Sequence, residues 1–301
     1  MLKKLNPDLA ILISTLLWGT WWYPLRILNE YADNNAIPLA ISFFIPGILV
    51  LCFSIKNIKQ LKKRNLILTI IAATAGAAAM CLYNEGLLRG NVARILIFFY
   101  LTAVWSTCIE IFFLKAQLTF LRTLSILFGF FGLFIITGFD QGNFVPSSMA
   151  DFFGILSGLL WSVAATLIRI NKDLDVNFGT SIFIIIGGIF VLLATIIPNG
   201  QTLSGFNAKT LLETYHIIFI FSFIWLLPGY WLLTFGQDQV DPGRAGILLM
   251  FEVVIGIISA YLFANELISI RELLGALFIM SAPLIEIYSM NKFNEINKIK
   301  L

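Results

Sequence analysis

Charged side chains are scarce in this sequence. They make up 12% of its 301 residues, whereas an ordinary soluble domain has about 25%. The hydrophobic fraction is correspondingly high, at 59%, against roughly 45–50% in soluble proteins. Apolar surface in this excess has to face something other than water. The composition therefore argues against a soluble domain and indicates a protein that is integral to a membrane.

Histidine and cysteine are also rare. The single histidine, His216, cannot form a metal site by itself, and the three cysteines lie in apolar stretches without paired ligand spacing. We therefore expect buried, inert thiols and no metal or other cofactor. The net charge is only +3, with basic residues scattered in short loops, so we expect no nucleic-acid partner. The absence of phosphate-loop and nucleophile-elbow motifs gives no indication of ATP-driven transport or of a hydrolase.

Long apolar runs are what the sequence has in quantity. A helix needs about 20 apolar residues to cross the hydrocarbon, and continuous runs of this length favour helices over the alternating strands of a barrel. The first run lacks a small-residue cleavage site, so we expect an uncleaved helix. Hydropathy and helix breakers predict an all-α membrane protein of ten transmembrane helices, near residues 8–28, 36–55, 65–88, 92–114, 119–138, 151–170, 178–197, 214–236, 243–264 and 270–290.

The basic residues predict how these spans are oriented. Lys and Arg concentrate in cytoplasmic loops. With the amino terminus inside, 15 of the 20 basic residues fall on the cytoplasmic side. We therefore predict an even number of spans with both termini cytoplasmic.

The two halves of the sequence resemble each other. Leu-Leu-Trp-Gly at 16–19 is matched by Leu-Leu-Trp-Ser at 159–162, an offset of 143, and an arginine follows eight residues after each tryptophan. Residues 117–122 match residues 266–271 in the same way. Because five helices per copy is an odd number, the second copy must enter the membrane upside down, as in secondary transporters. Chance similarity between apolar helices is the alternative.

This organisation predicts two inverted five-helix repeats, at residues 1–140 and 141–301, which together form one transmembrane domain. In such architectures a small-molecule substrate binds near the membrane midplane, at the interface of the repeats.

Several motifs in the right order resemble the drug/metabolite transporter superfamily, in its ten-helix EamA-type branch. They are Leu-Leu-Trp-Gly at 16–19, Leu160-Trp161, Phe-Glu-Val-Val at 251–254, and Glu-Leu-Ile-Ser at 266–269 followed by Gly275. The ninth-helix motif of the family reads Leu-Glu-Pro-Val. Its proline is replaced here by Val253, and the corresponding proline is also missing from the fourth helix around residues 100–104.

The resemblance implies a secondary transporter, not an enzyme. Characterised bacterial members of this size commonly export amino acids, and the chain is distantly similar to bacterial aromatic amino acid exporters. The implied partners are a small-molecule substrate, the lipid bilayer and, for a coupled carrier, protons, with the chain acting as a monomer or homodimer. The implied location is a bacterial cytoplasmic membrane. A membrane-embedded enzyme, or an exchanger of nucleotides or nucleotide sugars, is the alternative.

Glu252 is the leading candidate for substrate binding or proton coupling, because it lies near the middle of the ninth predicted span. An ionisable group at membrane depth is costly and is therefore a functional candidate. It could bind a substrate amine or exchange a proton. A carboxyl group that is merely hydrogen-bonded to a neighbouring helix is the alternative.

A second group of candidates lies at the end of the third predicted span: Tyr83, Asn84, Glu85 and Arg89. Glu85 and Arg89 have the spacing of a helical ion pair. Arg89 or Arg94 could hold a substrate carboxylate, or the pair could simply be interfacial. Glu110, nearer the cytoplasmic side, is predicted to pair with Lys115.

Aromatic residues complete the candidate set. Trp and Tyr usually form belts at the membrane surfaces, but Trp18, Trp105, Trp161 and Trp225 lie near the centres of their spans. An indole there needs a hydrogen-bond partner and can stack on an organic substrate, although packing alone is the alternative. Tyr100, Tyr230 and Trp231 are weaker candidates of the same kind.

Overall fold

The fold is seen in a computed structural model that describes residues 5–33, 35–58, 62–89, 95, 98–115, 117–137, 146, 148–196, 201–204, 206–264 and 269–299. Within these ranges the chain is helical apart from turns and one isolated bridge between Asn35 and Thr202, which confirms the all-α prediction. The α-helices, in chain order, are α1 (Pro7–Gly19), α2 (Trp22–Tyr31), α3 (Ala36–Ile58), α4 (Lys63–Arg89), α5 (Thr102–Phe113), α6 (Phe120–Thr137), α7 (Met149–Ile170), α8 (Val176–Ala194), α9 (Ala208–Ile220), α10 (Leu227–Gln239), α11 (Pro242–Leu249), α12 (Phe251–Ala264) and α13 (Ile270–Ile299). A π-helical stretch, Phe221–Leu226, joins α9 to α10 without interruption.

Polar side chains mark where several of these helices begin. The Asn6 side chain accepts hydrogen bonds from the first backbone amides of α1, and Ser148 forms a capping box with Asp151 at the start of α7. Asp175 and Asn207 cap α8 and α9 in the same way. Such caps satisfy amides that have no partner within the helix, so short polar loops are sufficient to separate long apolar helices.

Several helices are suited to a bilayer in length and composition. Large apolar side chains, such as Phe53, Phe113 and Phe120, are exposed on the outside of the bundle, as expected where lipid replaces water as solvent. Two shorter apolar segments are Phe98–Phe113 and Phe120–Ile136. Within the described residues, six helical segments are long and apolar enough to cross a membrane: Ala36–Ile55, Lys63–Gly86, Met149–Ile170, Val176–Ala194, Ala208–Gln239 and Pro242–Phe263. The prediction of an integral membrane protein is thus confirmed.

Three of the ten predicted spans contain a backbone break that hydropathy does not predict. The spans near 8–28, 92–114 and 243–264 each contain a break, at Thr20–Trp21, at Leu101 and at Met250. Hydropathy registers only the apolar character of a segment, which continues across a backbone break. A hydropathy profile therefore cannot detect such a break.

The breaks at Leu101 and Met250 are tight turns without proline. The amide of Val104 donates to the carbonyl of Leu101 at 2.9 Å, and the amide of Val253 donates to that of Met250 at 3.1 Å. Both bonds span three residues, as in a 3₁₀ turn, in place of the four of an α-helix. The fourth and ninth spans therefore break at corresponding positions even though the family's prolines are missing.

The helix contacts follow the pattern expected from two copies of one five-helix unit. The contact of α1 with α10 has its counterpart in that of α7 with α4, and α1 with α12 corresponds to α7 with α5. Equivalent helices also pair directly, namely α3 with α8 and α6 with α13, and α5 of the fourth span packs against α11 of the ninth. The predicted boundary between residues 140 and 141 lies outside the described residues.

The cysteines differ from expectation at one position. All three are free; Cys81 and Cys108 are half-buried, but Cys52 is exposed. The prediction of a buried thiol is wrong for Cys52, because a membrane helix has a face toward lipid as well as a face toward the core.

The α6–α13 crossing depends on glycine. A β-carbon added at Gly132 would lie 2.6 Å from the carbonyl oxygen of Gly275, a backbone atom that has little freedom to move. Small residues at such crossings allow helices to approach closely in a membrane. We predict that Gly132→Ala lowers the free energy of unfolding by about 1–3 kcal/mol through overpacking, measured as a lower thermal midpoint in detergent.

The matched control is Gly256→Ala. An added β-carbon there would meet only the Gly19 carbonyl oxygen, at 3.8 Å, an ordinary contact distance. An unchanged midpoint for both variants would contradict the glycine-dependent crossing.

Candidate functional site

The break at Met250 leaves one backbone carbonyl in need of a partner. In a continuous helix the Leu249 carbonyl would accept from the amide of Val253, but that amide bonds to Met250. The Tyr100 hydroxyl takes its place, at 3.1 Å from the Leu249 oxygen. A side chain of the first half of the chain thus satisfies the break in the second half, as a membrane interior requires.

The same hydroxyl holds Glu252. The Tyr100 hydroxyl oxygen lies 2.8 Å from Oε2 of the Glu252 carboxyl group, so its one hydrogen is shared between this oxygen and the Leu249 carbonyl. The buried Tyr83 hydroxyl also interacts with this carboxyl group. Both tyrosines are buried, and Glu252 is half-buried. The structure therefore brings together three of the predicted site residues, one each from α4, the segment before α5, and α12.

An aromatic cluster extends from these tyrosines across the interface of the two halves. Tyr230 lies at its centre, with ring centroids 4.8 Å from Trp18 and 4.7 Å from Phe183. Trp161 contacts Phe183 at 5.9 Å. The aromatic cluster consists of Trp18, Trp21, Phe43, Tyr83, Phe99, Tyr100, Trp161, Phe183, Phe221 and Tyr230.

The cluster contains buried donors without acceptors. The indole nitrogens of Trp18, Trp21 and Trp161 and the hydroxyl of Tyr230 are buried, and none has a hydrogen-bond partner. Leaving a buried polar group unpaired costs about 1–3 kcal/mol. Four such groups in one cluster are therefore suited to a ligand that brings its own hydrogen-bond acceptors.

The first helix of each repeat packs closely against a backbone break in the other repeat. A β-carbon at Gly19 of α1 would lie 2.7 Å from the backbone oxygen of Glu252, so only glycine allows this approach. At the matched position of α7, Ser162 Oγ lies 2.8 Å from Thr102 Oγ1 and 3.1 Å from the Thr102 carbonyl oxygen. The tryptophans next to these positions, Trp18 and Trp161, are thereby placed beside the two breaks.

The remaining tryptophan candidates lie apart from this arrangement. The Trp225 indole donates to Thr20 Oγ1 at 2.9 Å, so its hydrogen bond is satisfied within the protein, and Trp231 likewise donates to Asn177. The Trp105 indole nitrogen is buried without a partner, and its ring is not among the contacts that define the cluster.

The candidates on α4 divide between the site and the end of the helix. Glu85 is buried and accepts from Arg89 at 2.6 Å, the ion pair that the spacing predicts. The side-chain oxygen of Asn84 is buried without a partner. Arg94 lies outside the described residues.

Glu110 does not pair as predicted. It accepts from Arg122 Nη1 at 2.7 Å and from the Gly243 amide at 2.6 Å, whereas the prediction was Lys115. Lys115 follows the end of α5 with a positive φ of 54° and is exposed. The reason is that Arg122, one helix further along, reaches the buried carboxyl group from inside the bundle.

A small cavity adjoins the cluster. Phe183 forms part of its wall, and polar side chains of Thr69, Asn171 and Thr234 also line it. The Asn171 side-chain oxygen is buried without a partner. The cavity therefore lies next to the aromatic cluster, between α4, α7, α8 and α10, and has mainly apolar walls with a few polar groups.

Sequence reasoning missed several residues of the site. Trp21 was missed because it lies between Trp18 and the tryptophans expected in the surface belt. The phenylalanines of the cluster were missed because the chain has 28 phenylalanines and nothing in the sequence distinguishes these. Outside this site, Glu286 of the last predicted span was also missed. It bonds to Arg122, and its acidic side chain inside a span is the same signal that singled out Glu252.

Known proteins resemble this chain over nearly its whole length. The model of the EamA-like transporter family matches twice, at residues 5–138 and 148–285. A protein of Bacillus subtilis (strain 168) named uncharacterized transporter YoaV is 23% identical over 287 residues, which cover 90% of this chain and 93% of that protein. A solved crystal structure superposes with a TM-score of 0.69 at 13% identity, covering 95% of this chain and 98% of that one. The last comparison supports the fold.

The Tyr100 hydroxyl provides a test of the geometry. Tyr100→Phe removes the donor to Leu249 and Glu252 with little change in packing. We predict a loss of about 1–3 kcal/mol in the free energy of unfolding, as for other buried acceptors left without a partner, measured by thermal unfolding in detergent. Tyr288→Phe is the control, since Tyr288 is exposed. Equal stability of the two variants would argue against the bridging role of Tyr100.

Proposed function

The chain belongs to the EamA-like transporter family, and on this basis we propose that it is a secondary transporter that exports an amino acid or a related amine-bearing metabolite by alternating access. Membrane transport itself follows from the family and the apolar helices. The substrate class and the direction are the proposed part. Export is the direction implied by the resemblance to characterised bacterial members of the superfamily.

The observation that carries the proposal is the set of unpaired buried donors beside a carboxyl group. An amino acid has a cationic amine and an anionic carboxylate. The amine can pair with Glu252 and lie against aromatic faces, while the carboxylate can accept from the indoles of Trp18 and Trp161 and the hydroxyl of Tyr230. This complementarity would satisfy groups that otherwise remain unpaired.

Alternating access is supported by the broken helices. The breaks at Leu101 and Met250 divide α5 from the segment before it and α11 from α12, and discontinuous helices near the midplane are typical of transporter sites. The two halves of a broken helix can tilt separately while the candidate site stays between them. The cavity at Asn171 and Phe183 marks one direction in which the site can open.

A nucleotide or nucleotide-sugar exchanger fits the site less well. Phosphate groups are usually held by arginine, lysine or helix amino termini. The described neighbours of the cluster are a carboxyl group, which favours a cation, and uncharged aromatic donors, which suit a single carboxylate better than a polyphosphate. A membrane-embedded enzyme is disfavoured by the family, whose members are transporters.

The location follows the same reasoning. We propose a bacterial cytoplasmic membrane with both termini in the cytoplasm, from the excess of 15 basic residues among 20 on one side. The end of the bundle that carries Asp8, Glu110 and Arg244 is then cytoplasmic.

The experiment is a substrate panel in proteoliposomes. Purified protein is reconstituted, and counterflow is measured for aromatic, aliphatic, basic and acidic amino acids, amines, and a nucleotide sugar. Saturable counterflow of an amino acid would support the proposal. Flux of the nucleotide sugar alone, or of no compound in the panel, would overturn it.

The unpaired indoles give a second prediction. Trp18→Phe and Trp161→Phe keep an aromatic ring but remove one donor each. We expect KM for the transported compound to rise by about two- to tenfold in each variant, the loss typical of one hydrogen bond, measured from the concentration dependence of counterflow.

Trp22→Phe is the matched control, because the Trp22 indole is already bonded to Ser259. Its KM should stay at the wild-type value. Equal changes of KM in all three variants would contradict hydrogen bonding of the Trp18 and Trp161 indoles to the substrate.

Glu252 gives a third prediction. Glu252→Gln preserves shape and hydrogen bonding but removes the negative charge that would hold a substrate amine. We expect affinity for amine-bearing substrates to fall by about 10- to 100-fold, as for a hydrogen bond to a charged group. Glu213→Gln, at an exposed position, is the control. Wild-type transport by Glu252→Gln at every pH tested would remove Glu252 from both substrate binding and proton coupling.

A further inference from the structure

A group of basic side chains lies between the second and third predicted spans. Residues 56–64 contain five basic residues and no acidic residue. The structure describes the side chains of Lys62, Lys63 and Arg64, and all three are exposed. We call these three residues the basic cluster. The first turn of α4, which begins at Lys63, has no acidic residue to balance them.

The charges of the basic cluster are not compensated within the described part of the chain. None of its three side chains forms an ion pair with a described acidic residue. Asp173 approaches the start of α4, but it bonds to Asn65 and not to the cluster. By contrast, Lys209 in the first turn of α9 is paired with Glu213. Three adjacent unpaired cations create a positive potential that attracts an anion.

The basic cluster lies where a membrane surface is expected. The segments Ala36–Ile55 and Lys63–Gly86 are both long and apolar enough to cross a membrane, and the cluster is at the start of the second. Because such spans cover the hydrocarbon, residues at their ends lie near the level of the lipid headgroups. The long side chains of lysine and arginine can extend from there to headgroup phosphates.

Toward the membrane interior, α4 continues as an exposed apolar stripe. Ile67, Ile70 and Ile71 follow Lys63 by four, seven and eight residues, so they lie on the same face of the helix. Their relative exposures are 45%, 42% and 49%. We call these three residues the isoleucine stripe. A basic cluster at headgroup level with an apolar stripe beneath it matches a lipid with an anionic headgroup and acyl chains.

The opposite face of α4 holds the basic cluster in place. Asn65 is buried and donates to Asp173 at 2.8 Å, and its carbonyl oxygen accepts from the Asn171 side chain at 3.1 Å. The same side chain donates to Thr69, one turn further along α4, at 2.9 Å. The start of α4 is thus attached to the connection between α7 and α8. A fixed position lowers the cost of ordering these side chains on binding.

We propose that the basic cluster and the isoleucine stripe form a binding site for an anionic phospholipid. The headgroup phosphate accepts hydrogen bonds from the cluster, and an acyl chain lies along the stripe. A zwitterionic lipid fits less well, because its own cation balances the phosphate charge. The site is about 30 Å along α4 from Tyr83, at 1.5 Å per residue, and it does not depend on the proposed function.

Lipid binding is measured by native mass spectrometry of the full-length protein in a neutral detergent. Phosphatidylglycerol and phosphatidylcholine are added in separate titrations. We expect saturable binding of phosphatidylglycerol, with an affinity about tenfold higher than that of phosphatidylcholine. The preference should decrease as the ammonium acetate concentration is raised, because salt screens exposed charges.

Variants of the basic cluster test which residues hold the headgroup. Combining Lys62→Gln, Lys63→Gln and Arg64→Gln removes three charges but leaves the isoleucine stripe. We expect about a 100-fold loss of affinity for phosphatidylglycerol in this triple variant and about a fivefold loss in Lys63→Gln alone. Binding of phosphatidylcholine should change little.

Lys209→Gln is the matched control, because Lys209 is also an exposed lysine in the first turn of a helix, but its charge is paired with Glu213. Its affinity for phosphatidylglycerol should equal that of the wild type. An equal loss in Lys63→Gln and Lys209→Gln would show that any surface charge has this effect and would overturn the site.

Soluble anions separate a lipid site from a site for free phosphate. Inorganic phosphate and glycerol 3-phosphate have the anionic group without acyl chains, so we expect neither to displace phosphatidylglycerol at equal concentration. Displacement by either compound would indicate a free phosphate site and would overturn the lipid proposal. So would equal wild-type affinities for the two lipids, or wild-type affinity for phosphatidylglycerol in the triple variant.

A charge reversal keeps the proposal testable if the triple variant does not fold. Lys63→Glu changes the local charge by two units, whereas Lys63→Gln changes it by one. The reversal should therefore lower the affinity for phosphatidylglycerol further than Lys63→Gln does. Equal affinities of these two single variants would contradict recognition of the headgroup by charge.

Discussion

A backbone carbonyl inside a membrane needs a donor, and the organisation of this protein depends on how that need is met at Met250. The turn there removes the usual partner of the Leu249 carbonyl, and Tyr100 supplies the replacement from the opposite repeat. The hydroxyl that stabilises the break also holds Glu252. A structural requirement of the ninth span thereby fixes the position of its carboxyl group, and the break persists without the family's proline.

Much of the fold could be predicted from the sequence, because apolar length and internal similarity can be recognised in each segment without knowing its contacts. Apolar length locates the helices, and the recurrence of Trp18 and Trp161 with their following arginines indicates two copies. Backbone breaks give no such signal, since Leu101 and Met250 are ordinary apolar residues whose turns depend on contacts with other helices. Sequence can therefore place Glu252 at membrane depth but cannot identify Tyr100 and Tyr83 as the groups that hold it.

For the charged residues too, the sequence predicts the position of a residue but not its partner. Individual acidic residues at membrane depth can be recognised, but their partners come from distant segments: Glu286 is 164 positions from Arg122. Proximity in sequence favoured Lys115 as the partner of Glu110, whereas the bundle places Arg122 inside and Lys115 at the exposed end of α5. A buried carboxyl group needs a partner inside the bundle, because an unpaired charge there costs far more than one at the surface. Arg122 meets this need, whereas Lys115 does not reach the interior.

The short helix α11 connects the ionic contacts of Glu110 and Asp8 with the backbone break beside Glu252. At its start, Gly243 is bonded to Glu110 and Arg244 to Asp8; just beyond its end, Met250 forms the break. All eight residues are buried, so α11 has little room to bend and must move as a unit. Opening this end of the bundle requires the Asp8–Arg244 contact between α1 and α11 to separate. Under the proposed alternating access, the same movement would displace the break against which α1 packs through Gly19, so access at this end would change together with the geometry around Glu252.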